Sequence, residues 1–374
     1  MKAIRVLLPA AAAAALVLVL LVACRTSRQP EPAAALERLP HTNLLVFHNP
    51  KGGISPVKSK SDWEHRRAEI LRGMTEVMGP LPGPERWCPF DLRTEEQTNC
   101  GSYTRMLITY ASEPGSRVPA YLLVPNAAIT GTERLPGILA LHPTEQNRGH
   151  RVLVEQMSGK YRAYGRDLAE LGYVVIAPAY PLMANYQPDL KSLGYQSGTM
   201  KAIHDNIRAL DLLETLPFVR KGKFGAIGHS LGGHNAIYTA VFEPRIGVVV
   251  SSCGFDSYSA YYGGDPAHWQ LERGWCQTRY MPRLADYRGR LTEIPFDFYE
   301  LIAALAPRPL FVNAPLRDAN FSQPNVDAIL TAAAAVYRLY HVPKVLQAAY
   351  PDCDHDFPPE VREAAYGFLG QHLR

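Results

Sequence analysis

Gly228-His229-Ser230-Leu231-Gly232 is a G-x-S-x-G pentapeptide set between a short apolar run, Phe224 to Ile227, and a helical run, His234 to Phe242. Placed there, the serine occupies a sharp strand-to-helix turn that pushes its Oγ out of the sheet, and small flanking residues let the turn close. The N–H groups that follow lie at a helix N-terminus, where partial positive charge meets a developing oxyanion. A serine hydroxyl is a weak nucleophile at neutral pH and needs a base, which an acid must orient. On such an elbow the chain order is serine, acid, histidine. Asp318 follows the apolar run Pro309 to Val312, and His355 follows Val345 to Ala349. These spacings assign Ser230 as nucleophile, His355 as general base then acid, and Asp318 as the group that holds the imidazolium.

Other residues compete for these roles and fit them less well. Asp352, Asp354 and Asp356 flank His355 too closely in sequence to reach its far nitrogen, so they read as turn or surface acids. His229 and His234 share the elbow with Ser230 and cannot easily bring a ring nitrogen to its Oγ. They read as packing or hydrogen-bonding residues of the site wall. His204 reads as a histidine on a helix surface. One oxyanion donor is the N–H of Leu231, directly after the nucleophile. The second comes from His142-Pro143-Thr144-Glu145, after the strand Gly137 to Leu141. Pro143 has no N–H to give, which leaves Thr144, with Glu145 as its competitor.

The elements that must position these groups alternate. Asp62 to Met78 has helical spacing and stops at Gly79-Pro80, reading as a helix outside the sheet. Strands are predicted at Tyr103 to Tyr110, Val118 to Val124, Gly137 to Leu141, Tyr173 to Ala177, Phe224 to Ile227, Ile246 to Ser251, Pro309 to Val312 and Val345 to Ala349. Helices are predicted to end at Leu171 and to span Met200 to Leu216, Phe298 to Leu305, Val326 to Tyr340 and Pro359 to Leu373. Strands alternating with helices imply crossovers, hence an α/β fold with a mostly parallel central sheet and helices on both faces. Residues 253–296 are irregular and aromatic, and read as a cap-like insertion over the site. Trp269, Trp275 and Tyr280 are its candidate substrate contacts, since rings with polar handles stack on sugars or aryl esters; the alternative for each is that it packs the insertion onto the domain.

Residues 1–23 read as a targeting segment, with Lys2 and Arg5 before the apolar run Val6 to Val22. Leu21-Val22-Ala23-Cys24 resembles a bacterial lipoprotein signal, which would make Cys24 the lipidation site and place the protein in the cell envelope on a lipid anchor; the alternatives are a plain secretory signal and an uncleaved membrane anchor. Residues 24–43, rich in Pro, Ala and charge, read as a flexible tether, and 44–374 as one catalytic domain, with 44–100 its N-terminal extension. Five further cysteines permit disulfides in an exported compartment. Cys88–Cys100 and Cys253–Cys276 are the pairings with short loops, and the odd count leaves at least one thiol over. A net charge of +4 over 374 residues, without a Lys/Arg cluster, argues against nucleic acid. No Cys/His spacing points to a metal, and no cofactor is implied.

With these residues in place, the chain resembles the α/β-hydrolase superfamily, in the exported bacterial branch near acetyl xylan esterases and dienelactone hydrolases. The resemblance covers about residues 100–374 and is carried by Gly228 to Gly233, Asp318 and Pro351 through Pro358. Ser230 stands where dienelactone hydrolase has cysteine, and His142-Pro143 where related enzymes have His-Gly. The resemblance implies a serine esterase that cleaves carboxylic esters through an acyl-enzyme, with acetyl or similar groups on carbohydrate as substrate. The alternatives are a serine peptidase like prolyl oligopeptidase, which shares the elbow and the triad order, and an inactive binding lipoprotein on the same fold. Such peptidases usually carry a large second domain, whereas only about 100 residues precede the first sheet strands here.

Overall fold

A computed structural model describes residues 37–131, 133–156 and 160–374. The targeting segment, Cys24 and most of the tether lie outside the described residues. The last part of the tether differs from the sequence reading. Leu39 is buried, and His41 Nδ1 lies 2.7 Å from Glu300 Oε1, so the compact unit begins at Arg38 rather than at residue 44. An apolar side chain and an ion pair anchor a stretch whose composition suggested flexibility.

A hairpin of β1 (Val46–His48) and β2 (Ile54–Pro56) leads into helix α1 (Lys60–Met78), opened by a capping box between Ser59 and Asp62. Arg66 of α1 reaches Glu300 at 3.1 Å. Next come β3 (Arg93–Asn99), β4 (Tyr103–Glu113), β5 (Ser116–Pro125), the short α2 (Asn126–Thr130), β6 (Leu135–Leu141), α3 (Tyr164–Glu170) and β7 (Val174–Pro178). Then follow α4 (Gly198–Thr215), β8 (Val219–His229), α5 (Leu231–Phe242), β9 (Ile246–Ser252) and α6 (Phe298–Ala304). The chain closes with β10 (Leu310–Asn313), α7 (Gln323–Leu339), β11 (Leu346–Ala349) and α8 (Pro359–Leu373). Between β9 and α6 the 253–296 insertion is built from short 3₁₀ turns.

Nine strands form one sheet in the order β11-β10-β9-β8-β6-β7-β5-β4-β3. β11 through β7 run parallel, and β5, β4 and β3 extend the sheet antiparallel. This is an α/β-hydrolase sheet. Its chain order reverses between β6 and β8: β7 is laid down on one side, β9 to β11 on the other. A crevice opens at such a switch point, beyond the C-terminal strand ends. Ser230 follows β8 and His142-Pro143-Thr144 follows β6, so both border it. β3 carried no sequence signal, because all seven of its residues are exposed and polar or charged, as suits a sheet edge protected from further pairing.

His204 also departs from its expected place. It is 1% exposed, as helix α4 is covered on nearly all sides. Burial is tolerated because the charges of α4 neutralise others around them. Lys201, fully buried, contacts Glu113 at 3.0 Å, Ser112 Oγ at 3.1 Å and Asp205. Arg86 and Tyr195 donate to the Glu113 carboxylate and Tyr186 to that of Asp205. Burial opposes ionisation of Glu113, yet Lys201, Arg86 and Tyr195 together hold its carboxyl below the ordinary value. Removing one partner of a buried charge network strands the others without compensation. Lys201→Met is therefore expected to cost about 3–5 kcal/mol of stability. Urea unfolding measures this, and an unchanged midpoint contradicts it.

Candidate active site

Close backbone approach shapes the elbow. Ser230 sits at φ 55°, ψ −122°, a region that side-chain-bearing residues seldom occupy. A Cβ on Gly228 would lie 2.1 Å from Gly232 C, and one on Gly232 would lie 2.0 Å from Leu141 O. Glycine is thus required at both positions for the turn to close against β6. Ser230 N–H donates to Ser252 O at 2.8 Å, tying the elbow to β9. Tyr164 joins the two sides of the switch point, donating its hydroxyl to Leu141 O while accepting from His229 N–H at 3.2 Å.

The acid and the histidine come from adjacent strand ends. β10 and β11 pair in parallel, and their outgoing loops stay zipped: Ala314 N–H donates to Ala349 O, Leu316 N–H to Pro351 O and Arg317 N–H to Cys353 O. This brings His355 Nδ1 to 2.8 Å from Asp318 Oδ2. Asp318 Oδ1 accepts the N–H groups of Asn320 at 2.8 Å and Phe321 at 3.1 Å. Burial pushes the Asp318 carboxyl upward, but His355 and the two N–H groups outweigh it and hold the acid below its ordinary 3.8. An ionised Asp318 makes Nδ1 the protonated nitrogen and leaves Nε2 to act as base. Ser230, His229, Thr144 and His355 line a common cavity of about 300 Å³. Among the described hydrogen bonds none joins Ser230 Oγ to His355, a bond that is often long until substrate is bound.

The flanking acids are engaged elsewhere. Asp352 and Asp354 pair with Arg317, and Asp356 with Arg162 at 2.8 Å. His229 Nδ1 lies 2.9 Å from Ser252 Oγ, and burial, with Arg162 and His355 nearby, keeps it neutral. His234 is stacked between Tyr238 and Trp275. His142 Nε2 accepts from Tyr180 N–H at 2.9 Å, so its Nδ1 must donate to Pro143 O at 2.7 Å. Burial lowers its pKa to about 4, which keeps that single tautomer. The ring therefore clamps the loop that carries Thr144. Thr144 borders Ser230 and Leu231 in a second cavity of about 160 Å³, whereas Glu145 lines only the first. Leu231 is the first residue of α5, where N–H groups have no partner within the helix.

The insertion contributes unevenly. Trp275 and Tyr280 line the second cavity, and Tyr280 hydroxyl lies 3.1 Å from Thr144 Oγ1. Trp269 does not reach either cavity. It is 1% exposed, packed edge-on against Tyr258 and Tyr261, and works as core of the insertion rather than as a substrate contact. The two short-loop disulfides are not formed either; Cys88, Cys100, Cys253, Cys276 and Cys353 are all free thiols. Cys253 Sγ instead lies 3.3 Å from Asp356 O, beside the triad. Cys253, Asp318 and His355 each offer a ligand atom within 4.8 Å of the others, but the imidazole nitrogen turned toward them is engaged as donor to Asp318.

Sequence reasoning missed Asn313 and Lys160. The Asn313 amide donates to Ser252 Oγ and to Asp356 O, each at 2.8 Å, linking β10, β9 and the His355 loop. Lys160 Nζ donates to His355 O at 2.8 Å. An Asn at a strand end was a weak local signal for the first; nothing local signalled the second.

A serine on a strand-to-helix elbow and an Asp–His pair bordering the same cavity, on an α/β-hydrolase sheet, form the arrangement of a serine hydrolase. The chain is also similar to several known proteins. A family model described as "Glucuronyl esterase, fungi" matches residues 196–340. The chain is 25% identical to YtaP of Bacillus subtilis (strain 168) over 330 residues, 82% of this chain and the full length of the relative. It is 27% identical over 180 residues to 4-O-methyl-glucuronoyl methylesterase 1 of Wolfiporia cocos (strain MD-104), covering 44% of each chain. Among solved structures, the glucuronoyl esterase from Solibacter usitatus superposes with a TM-score of 0.69 over 91% of this chain and 100% of its own; at 19% identity the likeness is one of fold.

If Asp318 orients the base, Asp318→Asn should lower kcat about ten-thousand-fold, because an amide favours the wrong imidazole tautomer. Asp354→Asn, which removes an exposed partner of Arg317, should cost far less. Steady-state hydrolysis of a chromogenic acetate ester compares them, and a reversed ranking overturns the assignment.

Proposed function

We propose that this protein hydrolyses carboxylic esters of carbohydrate through an acyl-enzyme on Ser230. The observation that carries the reading is the His355–Asp318 pair at 2.8 Å, set across one cavity from a serine held at positive φ on its elbow. His355 Nε2 takes the proton of Ser230 Oγ as the oxygen attacks the ester carbonyl. The developing oxyanion is met by the N–H groups of Leu231 and Thr144. Collapse expels the alcohol, which takes its proton from His355, and water then repeats the sequence on the acyl-enzyme. The carbohydrate half of the proposal is supported by the relatives, whose names describe esterases of glucuronoyl groups.

A panel of acetylated oligosaccharides, methyl glucuronate esters, aryl esters and aminoacyl amides tests the reading. Esters should be turned over and amides should not. Ser230→Ala should lose on the order of a million-fold in turnover while keeping its fold. Wild-type rates from that variant, or amide cleavage in place of ester cleavage, contradict the proposal.

We propose further that the protein is exported and held on a lipid anchor. Residues 1–23 direct export and are removed, and Cys24 carries acyl chains that hold the enzyme in the bacterial cell envelope. Each buried CH₂ contributes about 0.8 kcal/mol to such an anchor. Mass spectrometry of the mature N-terminus should find a lipidated Cys24, abolished by Cys24→Ala. An unmodified N-terminus at another residue contradicts it.

A further inference from the structure

Ser230 and Thr144 are shared by two cavities of different chemistry. The larger, about 300 Å³, is lined by Glu145, Arg148, Glu155, Lys160 and Arg162 together with His355. The smaller, about 160 Å³, is lined by Tyr261, Trp275, Gln277, Tyr280, Asn320 and Phe321, none of them charged. His355 borders only the charged cavity, and Leu231 only the uncharged one.

This asymmetry fixes how an ester must lie. In the tetrahedral intermediate the former carbonyl carbon bears Ser230 Oγ, the oxyanion, the alkoxy oxygen and the acyl chain. When it collapses, the carbon–alkoxy bond breaks and the proton on His355 Nε2 passes to the departing oxygen, so that oxygen must lie within hydrogen-bond reach of the imidazole. The oxyanion is turned toward Leu231 and Thr144. We infer that the alcohol part of the substrate occupies the charged cavity beside His355 and the acyl part the uncharged cavity under the 253–296 insertion. This rests on the acyl-enzyme reading above and deepens it.

Two consequences for substrate class follow. The small cavity limits the acyl part to an uncharged group of about one ring, enclosed by Trp275, Tyr280 and Phe321. The alcohol part meets charge. Glu145 pairs with Arg148, Glu155 with Arg151 and Arg162 with Asp356, while Lys160, exposed and bonded to His355 O, makes no ion pair among the described residues. An alcohol bearing an anionic group, such as an acidic sugar, is therefore favoured over a neutral one.

Separating acylation from deacylation tests this, because the alcohol has left before deacylation begins. Full-length enzyme is mixed with aryl esters in two series: one varies acyl length on a single phenol, the other holds acetyl constant and adds a carboxylate to the phenol. Lys160→Glu should lower the preference for the carboxylated phenol roughly three- to ten-fold in kcat/KM. It should leave the dependence of deacylation on acyl length as in the wild type. Trp275→Ala should shift the acyl-length preference by about ten-fold in both steps and leave the phenol preference in place. Gln277→Ala, at a partly exposed wall of the same cavity, serves the same purpose if Trp275→Ala does not fold. The opposite pattern, with Lys160→Glu changing acyl preference and the insertion variants changing phenol preference, overturns the orientation. So does an absence of any selectivity change from variants that still acylate. Failure to form an acyl-enzyme at all would instead overturn the esterase reading itself.

Discussion

The contact of Gly232 with the end of β6 governs the rest of the site. Helix α5 can start immediately after Ser230 only if its first turn presses against Leu141, and a single methyl group at Gly232 would lie 2.0 Å from that carbonyl. Ser230, beside this contact, has a positive φ and borders the crevice where the sheet reverses its order. Strain of this kind persists only where surrounding bonds over-determine it. Here Ser252 O and the Tyr164 hydroxyl supply them, from β9 and α3. The proposed oxyanion donors depend on this contact, since Leu231 is the next residue after Ser230 and Thr144 lies three residues beyond Leu141.

Electrostatics act on two separate scales. Beside the nucleophile, one carboxylate is stabilised by three donors and one imidazole is oriented by it, while His142, His229 and His234 are kept neutral by burial. A single histidine is thus presented to Ser230 with a defined tautomer, among others removed from proton chemistry. Away from the crevice, Lys201 and Arg86 offset the carboxylates of Glu113 and Asp205. That network ties α4, the helix preceding β8, to the end of β4.

How much was readable from sequence depended on how local each cause is. The elbow was legible because strand, small residues and helix are contiguous, and Asp318 and His355 because each follows an apolar strand by a few residues. Burial decided by distant partners was not legible. Trp269 has the same local setting as Trp275, yet only the latter borders Ser230, and His204 sits on a helix whose charged side faces other charges rather than water. β3 has no apolar alternation to detect. Tyr164 and Asn313 act entirely through residues far along the chain, from 23 to 65 positions away. The short-loop cysteine pairings failed for the same reason: Cys253 turns toward Asp356 rather than Cys276.

Ser230, poised by this geometry, is the group expected to become acylated. Incubating the full chain with a small phosphonate ester that mimics the tetrahedral intermediate, followed by intact-mass and peptide mapping, addresses it directly. One phosphonyl group per chain is expected, on the peptide containing Ser230, with esterase activity lost in proportion to labelling. A label elsewhere, or full activity in a chain labelled at Ser230, contradicts it.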